Sequence, residues 1–114
     1  MKKSCQAELL RVFIGEKDKY KGKPLFEAIV ELARERKMAG ATVLRGMLGF
    51  GADSHLHTAK ILRLSEDLPV VVEIVDETQQ IEDLLPQLDE MIEEGLVTRE
   101  KVQTIAYGHE KEKA

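Results

Sequence analysis

A lone cysteine, Cys5, stands in this chain of 114 residues, and tryptophan is missing altogether. One thiol cannot close a disulfide within the chain, and there is no CxxC or four-ligand pattern to hold a structural zinc. No apolar run approaches the ~20 residues that a membrane-spanning helix requires. The opening Met1-Lys2-Lys3 is basic, but Glu8 and Arg11 interrupt the apolar stretch that follows, which argues against a secretory leader. Positive charge is in deficit as well: 17 Lys and Arg against 21 Asp and Glu leave −4, with a pI near 5.4. Such a field repels polynucleotides and anionic lipid, so nucleic acid is not an expected partner. The length fits one domain over residues 1–114, with a core at about 8–106 and polar tails at 1–7 and 109–114. A soluble, cytoplasmic protein is the expectation.

What is present is a clear alternation of strand and helix signals. Residues 9–14, Leu-Leu-Arg-Val-Phe-Ile, form a β-prone run closed by Gly15. A charged loop follows at 16–23, and Pro24 suits the first turn of a helix. Leu25, Phe26, Ile29, Val30 and Ala33 share one helical stripe, with Gly40 as its expected stop. A second strand is expected at 41–48, then an irregular stretch at 49–58 and a short apolar piece at 61–64. Val70 to Val75 is the strongest strand signal. Asp76 with Gln79 resembles a capping box for a second helix bearing Ile81, Leu84, Leu85, Leu88, Met91 and Ile92. Pro86 inside it should kink or split it. Leu96-Val97 and Val102 to Ala106 supply a last strand. The order β-α-β-β-α-β predicts an α+β fold, a ferredoxin-like sandwich whose antiparallel four-stranded sheet carries two helices on one face. Right-handed crossovers put the first and third strands at its centre.

The central strands pose a problem for a solitary chain. With both helices on one face, the other should alternate to polar residues. Instead Val70, Val72 and Ile74 oppose Val71, Glu73 and Val75, and Leu10, Val12 and Ile14 oppose Leu9, Arg11 and Phe13. Both faces are apolar apart from Arg11 and Glu73. Leaving such side chains in water forgoes ~1.5–3 kcal/mol apiece, so self-association in a closed ring is expected. The alternative is a terminal arm or the long loop folded over the face.

Chemistry-bearing residues gather around the second strand's end. In Arg45-Gly46-Met47-Leu48-Gly49-Phe50-Gly51, glycines let a backbone approach a ligand closely, and Arg45 can pair with phosphate or carboxylate. The same glycines could merely bend a loop off a strand. The segment matches neither a Walker A nor a dinucleotide fingerprint. His55 and His57, with Asp53, project alike in an extended segment; they suit either an anionic ligand or, alternatively, a divalent metal. Lys17 and Lys19 belong to a four-lysine loop that is either a cationic spot or a solvated surface. Glu16 and Asp18, like Asp76 and Glu77, read as loop and helix-start charges. No nucleophile–base set stands out, which argues against an enzyme.

In order and spacing, Ile14-Gly15-Glu16, Gly22-Lys23-Pro24-Leu25, Gly40-Ala41-Thr42-Val43, Arg45-Gly46, Gly49-Phe50-Gly51, His57-Thr58, Leu68-Pro69-Val70, Val75-Asp76 and Gly95-Leu96-Val97-Thr98 resemble a family of small PII-like proteins catalogued as a domain of unknown function. The resemblance covers roughly residues 8–106. It implies a homotrimeric ferredoxin-like assembly similar to nitrogen-regulatory PII and divalent-cation-tolerance (CutA) proteins. It also implies an adenine nucleotide (AMP, ADP or ATP) or similar anion as ligand, with no resident cofactor. The ligand would sit between subunits at the base of the loop after the second strand, here Gly49 to Thr58 with Arg45 at its root. The chain lacks the PII glycine-rich phosphate loop, having Glu93-Glu94-Gly95-Leu96-Val97-Thr98-Arg99 instead, and lacks the modified-tyrosine loop. The resemblance also implies a membrane-transporter partner, and ordering of residues 50–59 when ligand bridges Arg45, the glycine amides and the histidines is the expected switch. The cation-tolerance likeness implies the alternative use of His55, His57 and Asp53 for metal.

Overall fold

Alternate residues of the first and third long strands enter two different environments, and this division sets the layers of the molecule. Leu10, Val12, Ile14, Val70, Val72 and Ile74 are buried to 7% exposure or less. Their odd-numbered counterparts, from Leu9 to Phe13 and from Val71 to Val75, are half-buried or more exposed. A computed structural model describes residues 5–51, 57–58 and 67–105. The order along the chain is β1 (Cys5–Gly15), β2 (Lys19–Tyr20), β3 (Lys23–Pro24), α1 (Leu25–Glu35), β4 (Gly40–Arg45), β5 (Leu48–Gly49), β6 (His57–Thr58), β7 (Pro69–Asp76), α2 (Thr78–Met91) and β8 (Leu96–Thr104). The four long strands form one antiparallel sheet in the order β4-β7-β1-β8, with β1 and β7 central as expected. Leu25, Ile29 and Ala33 of α1 and Ile81, Leu84, Leu88 and Met91 of α2 close over one face and complete the core.

The edges of several elements depart from expectation, each for a local reason. β1 starts at Cys5 rather than Leu9 and takes in residues 5–7, because Cys5 to Glu8 pair with Lys101 to Thr104 of β8. The charged loop contains the β2–β3 hairpin, whose central Lys21 and Gly22 have φ of 50° and 79°. Two consecutive positive φ values match the right-handed twist of the flanking strands. Pro24 precedes α1 instead of lying in its first turn, and Gly40 opens β4 rather than ending α1. The helix stops at Glu35, and the chain turns through Lys37 at φ 58°.

β4 ends at Arg45, not residue 48, and Leu48-Gly49 instead pairs with His57-Thr58. Asp76 does not cap α2. Its carboxylate accepts the backbone N–H of Ala39 (2.9 Å) and Glu77 (2.7 Å), while the Gln79 amide donates to Asp83 at 2.8 Å. Pro86 leaves α2 unsplit. β8 runs unbroken through Thr98 to Lys101. The expected apolar piece at 61–64 and the tail beyond Ile105 lie outside the described residues.

Candidate ligand-binding site

The C-terminal ends of β1 and β4 flank the start of β7, because Gly15 is level with Pro69 and Arg45 with Val70. Backbone bonds then splice this end together. Glu16 N–H donates to the Leu68 carbonyl at 2.8 Å, and Gly46 N–H to the Pro69 carbonyl at 2.7 Å. Gly46 is there for space: a Cβ on it would lie 2.8 Å from Pro69 Cγ, and one on Gly49 would lie 3.1 Å away. The expected use of exposed glycine amides is thus corrected for Gly46, whose N–H is already taken.

The turn after β1 is equally tied. Gly15 N–H donates to Asp18 Oδ2 (3.0 Å), Lys17 N–H to Asp67 Oδ1 (2.8 Å), and Leu25 N–H to the Asp18 carbonyl (2.7 Å). Glu16 and Asp18 are loop charges, as read, but with specific work: Asp18 clamps the turn and Glu16 pairs with Arg45. Asp67, which pattern reading passed over, accepts from that turn across about fifty positions of sequence. No local spacing signals such a contact.

Arg45 is the exposed cation of this end, with 63% of its side chain accessible against 25% for Glu16. Lys17, in the adjacent turn, and Lys19, in β2, are exposed. Met47, Leu48 and Phe50 present apolar side chains to solvent beside them, and a Cβ on Gly51 would meet nothing within 4 Å among the described residues. The structure therefore brings Arg45, Gly46 and Gly49 together beside Lys17's turn. Asp53 and His55 lie outside the described residues, and His57 is described through its backbone pairing with Gly49. Among the described residues no cluster of three His, Cys, Asp or Glu could hold a metal ion.

Concavity alone points elsewhere. One hollow of about 390 Å³ lies at the opposite end of the sheet, where Gly40, Thr42, Val75 and Thr104 line it, and another of about 410 Å³ lies between α1, α2 and the β2–β3 hairpin. Neither takes in Arg45, Gly46 or Gly49. The sheet end is preferred on chemistry: it sets the exposed guanidinium of Arg45 beside the exposed apolar side chains of Met47, Leu48 and Phe50.

The other charged cluster is structural. Arg99 donates to Glu8 at 2.6 Å and lies 2.9 Å from Glu82, joining β8, β1 and α2. This contact with Arg99 first, and a hydrogen bond with Thr78 after it, hold the Glu8 carboxyl below its ordinary pKa against the opposing effect of burial; the guanidinium of Arg99 is raised in turn. On the uncovered face, Arg11 donates to Glu73 (3.0 Å) and Glu100 (2.7 Å), which accounts for the two charges among apolar neighbours.

Comparison with known structures bears out the fold. CPII, a nitrogen regulatory PII-like protein from Thiomonas intermedia K12 bound to ADP, AMP and bicarbonate, superposes with a TM-score of 0.62 at 14% identity, covering 91% of this chain and 92% of that one. The same protein bound to ADP and bicarbonate gives 0.60 at 15% identity, over 91% and 93%. In sequence, a UPF0166 protein of Aquifex aeolicus is 39% identical over 98 residues, 86% of this chain and 92% of its own length. A UPF0166 protein of Methanocaldococcus jannaschii is 34% identical over 93 residues, 81% and 85% of the two chains. The family model DUF190, described as Uncharacterized ACR, COG1993, matches residues 7–104, and this chain belongs to that family.

Proposed function

We propose that the chain is a non-enzymatic, PII-like sensor that assembles as a homotrimer and binds an adenine nucleotide in clefts between neighbouring chains. The observation that carries this reading is a row of side chains on the uncovered face. Leu44 of β4, Val71 of β7, Phe13 of β1 and Leu96 of β8 stand level across all four strands. Leu44 is 49% exposed and Leu96 59%. A contiguous apolar band on a sheet marks an interface, and copies of the same chain closing as a ring about a threefold axis are the occupants proposed for it.

Packing those faces would bring another chain toward the open corner at Arg45 and supply the missing wall. A phosphate there would meet the guanidinium and the lysines at 17 and 19, while Met47 and Phe50 offer apolar surface to a base. The ADP and AMP of the fold neighbour CPII support the choice of ligand class. Ligand binding would then alter the segment 50–59 and the surface shown to a partner, with a membrane transporter as the proposed class. Calorimetric titration with AMP, ADP, ATP and cyclic nucleotides tests the reading: saturable heat with at least one is expected, and no heat with any contradicts it.

A further inference from the structure

The cation of the proposed site does not stand free: it already holds an internal anion. Arg45 Nη2 donates to Glu16 Oε2 across 29 positions of sequence. Glu16 cannot easily follow a different partner, because its own N–H is bonded to Leu68 and its neighbours Gly15 and Lys17 are bonded to Asp18 and Asp67. The carboxylate is the less accessible member of the pair, and the guanidinium lies outward. An incoming anion therefore meets Arg45 with part of its donor fork in use and a negative charge fixed behind it.

We infer that Glu16 is a specificity-determining residue, a built-in counter-ion that sets how much negative charge a ligand must bring to Arg45. A single carboxylate gains little by competing with one already anchored. A phosphate or phosphoanhydride carries more charge and more acceptor oxygens, and can take the remaining N–H groups in a bidentate contact. The site so built favours phosphorylated ligands over simple carboxylates. This inference rests on the reading of Arg45 as the anion contact.

Calorimetric titrations of the full-length protein with ADP and with inorganic pyrophosphate, run on the wild type, Glu16→Gln and Arg45→Gln, test it, with acetate as the carboxylate control. Acetate binding the wild type as tightly as pyrophosphate overturns the preference. Glu16 is anchored through its main chain, so the amide replacement removes charge without removing the turn, and the thermal midpoint of each variant checks that the fold is kept. Glu16→Gln is expected to tighten both ligands roughly two- to fivefold, the worth of an exposed ion pair, and Arg45→Gln to weaken both by a similar factor or more. Weakening in Arg45→Gln with unchanged or weaker binding in Glu16→Gln overturns the counter-ion and leaves the site standing. Unchanged binding in Arg45→Gln overturns the site itself, and absence of binding in the wild type and in Glu16→Gln overturns both. A Glu16→Gln gain for pyrophosphate with no ADP binding upholds the counter-ion and removes the nucleotide.

Discussion

Gly46 illustrates how a single hydrogen atom in place of a side chain shapes the sheet end. Its would-be Cβ meets a proline ring that belongs to the start of β7, so relief requires moving a strand. Gly46→Ala is expected to cost about 1–3 kcal/mol in urea unfolding, as overpacking does. Gly51→Ala, where a Cβ meets nothing within 4 Å among the described residues, should stay within about 0.5 kcal/mol of wild type. Equal, small effects at both would show that Pro69 does not constrain the turn. Glu8 is the second residue with a defined consequence. Only 4% exposed and bonded to Arg99, it has a lower pKa folded than unfolded. Its contribution is complete above the ordinary carboxylate pKa and fades as pH falls through the lower folded value. The stability gap between wild type and Glu8→Gln should therefore hold from neutral pH down to the ordinary carboxylate range and shrink as pH falls below it. A gap that holds constant with pH would contradict the assignment.

Among the elements, those that bury a face were legible and those held by distant charge were not. Val70 to Val75 reads as a central strand because β-branched residues occupy both parities. The stripe of α2 from Ile81 to Met91 was legible, but Pro86 does not split it as the pattern allowed, because burial of that stripe outweighs the lost hydrogen bond. By contrast, Thr98-Arg99-Glu100-Lys101 looks like loop. Its strand character depends on Arg99 meeting Glu8 and Glu100 meeting Arg11, partners about ninety positions away. The same holds at the candidate site. Arg45 and the neighbouring glycines were visible as a cluster, whereas Glu16 and Asp67 join it only once the sheet is assembled. Asp76 shows the opposite failure, a good local capping pattern overridden by a tertiary contact with Ala39. The β2–β3 hairpin offers an element-scale test. Lys21 occupies a left-handed position that asparagine tolerates better, so Lys21→Asn should raise stability by a few tenths to about 1 kcal/mol. A loss of stability on that change would mean that Lys21's position over the Tyr20 ring, 5.3 Å from its centroid, matters more than the turn.

For the whole molecule, the two sheet faces decide the biology. One is sealed by α1 and α2; the other carries the Leu44–Val71–Phe13–Leu96 row, then the Thr42–Glu73–Arg11–Thr98 row with its internal ion pair. Arg11 of the polar row reaches both Glu73 and, one row on, Glu100, so the row can enter an interface without an unpaired cation, the three groups carrying a net charge of −1 between them. Val71 sits between Leu44 and Phe13 and is half-buried in the lone chain. Val71→Lys should leave the protomer folded, with unchanged far-ultraviolet dichroism, yet split the assembly by forcing a charge into its centre.

Sedimentation equilibrium of the wild-type protein at micromolar concentration is the most direct measurement. The proposed homotrimer predicts the mass of three 12.9 kDa chains, falling to one in Val71→Lys. A wild-type mass of one chain would contradict the account, and with it the clefts in which a ligand was placed.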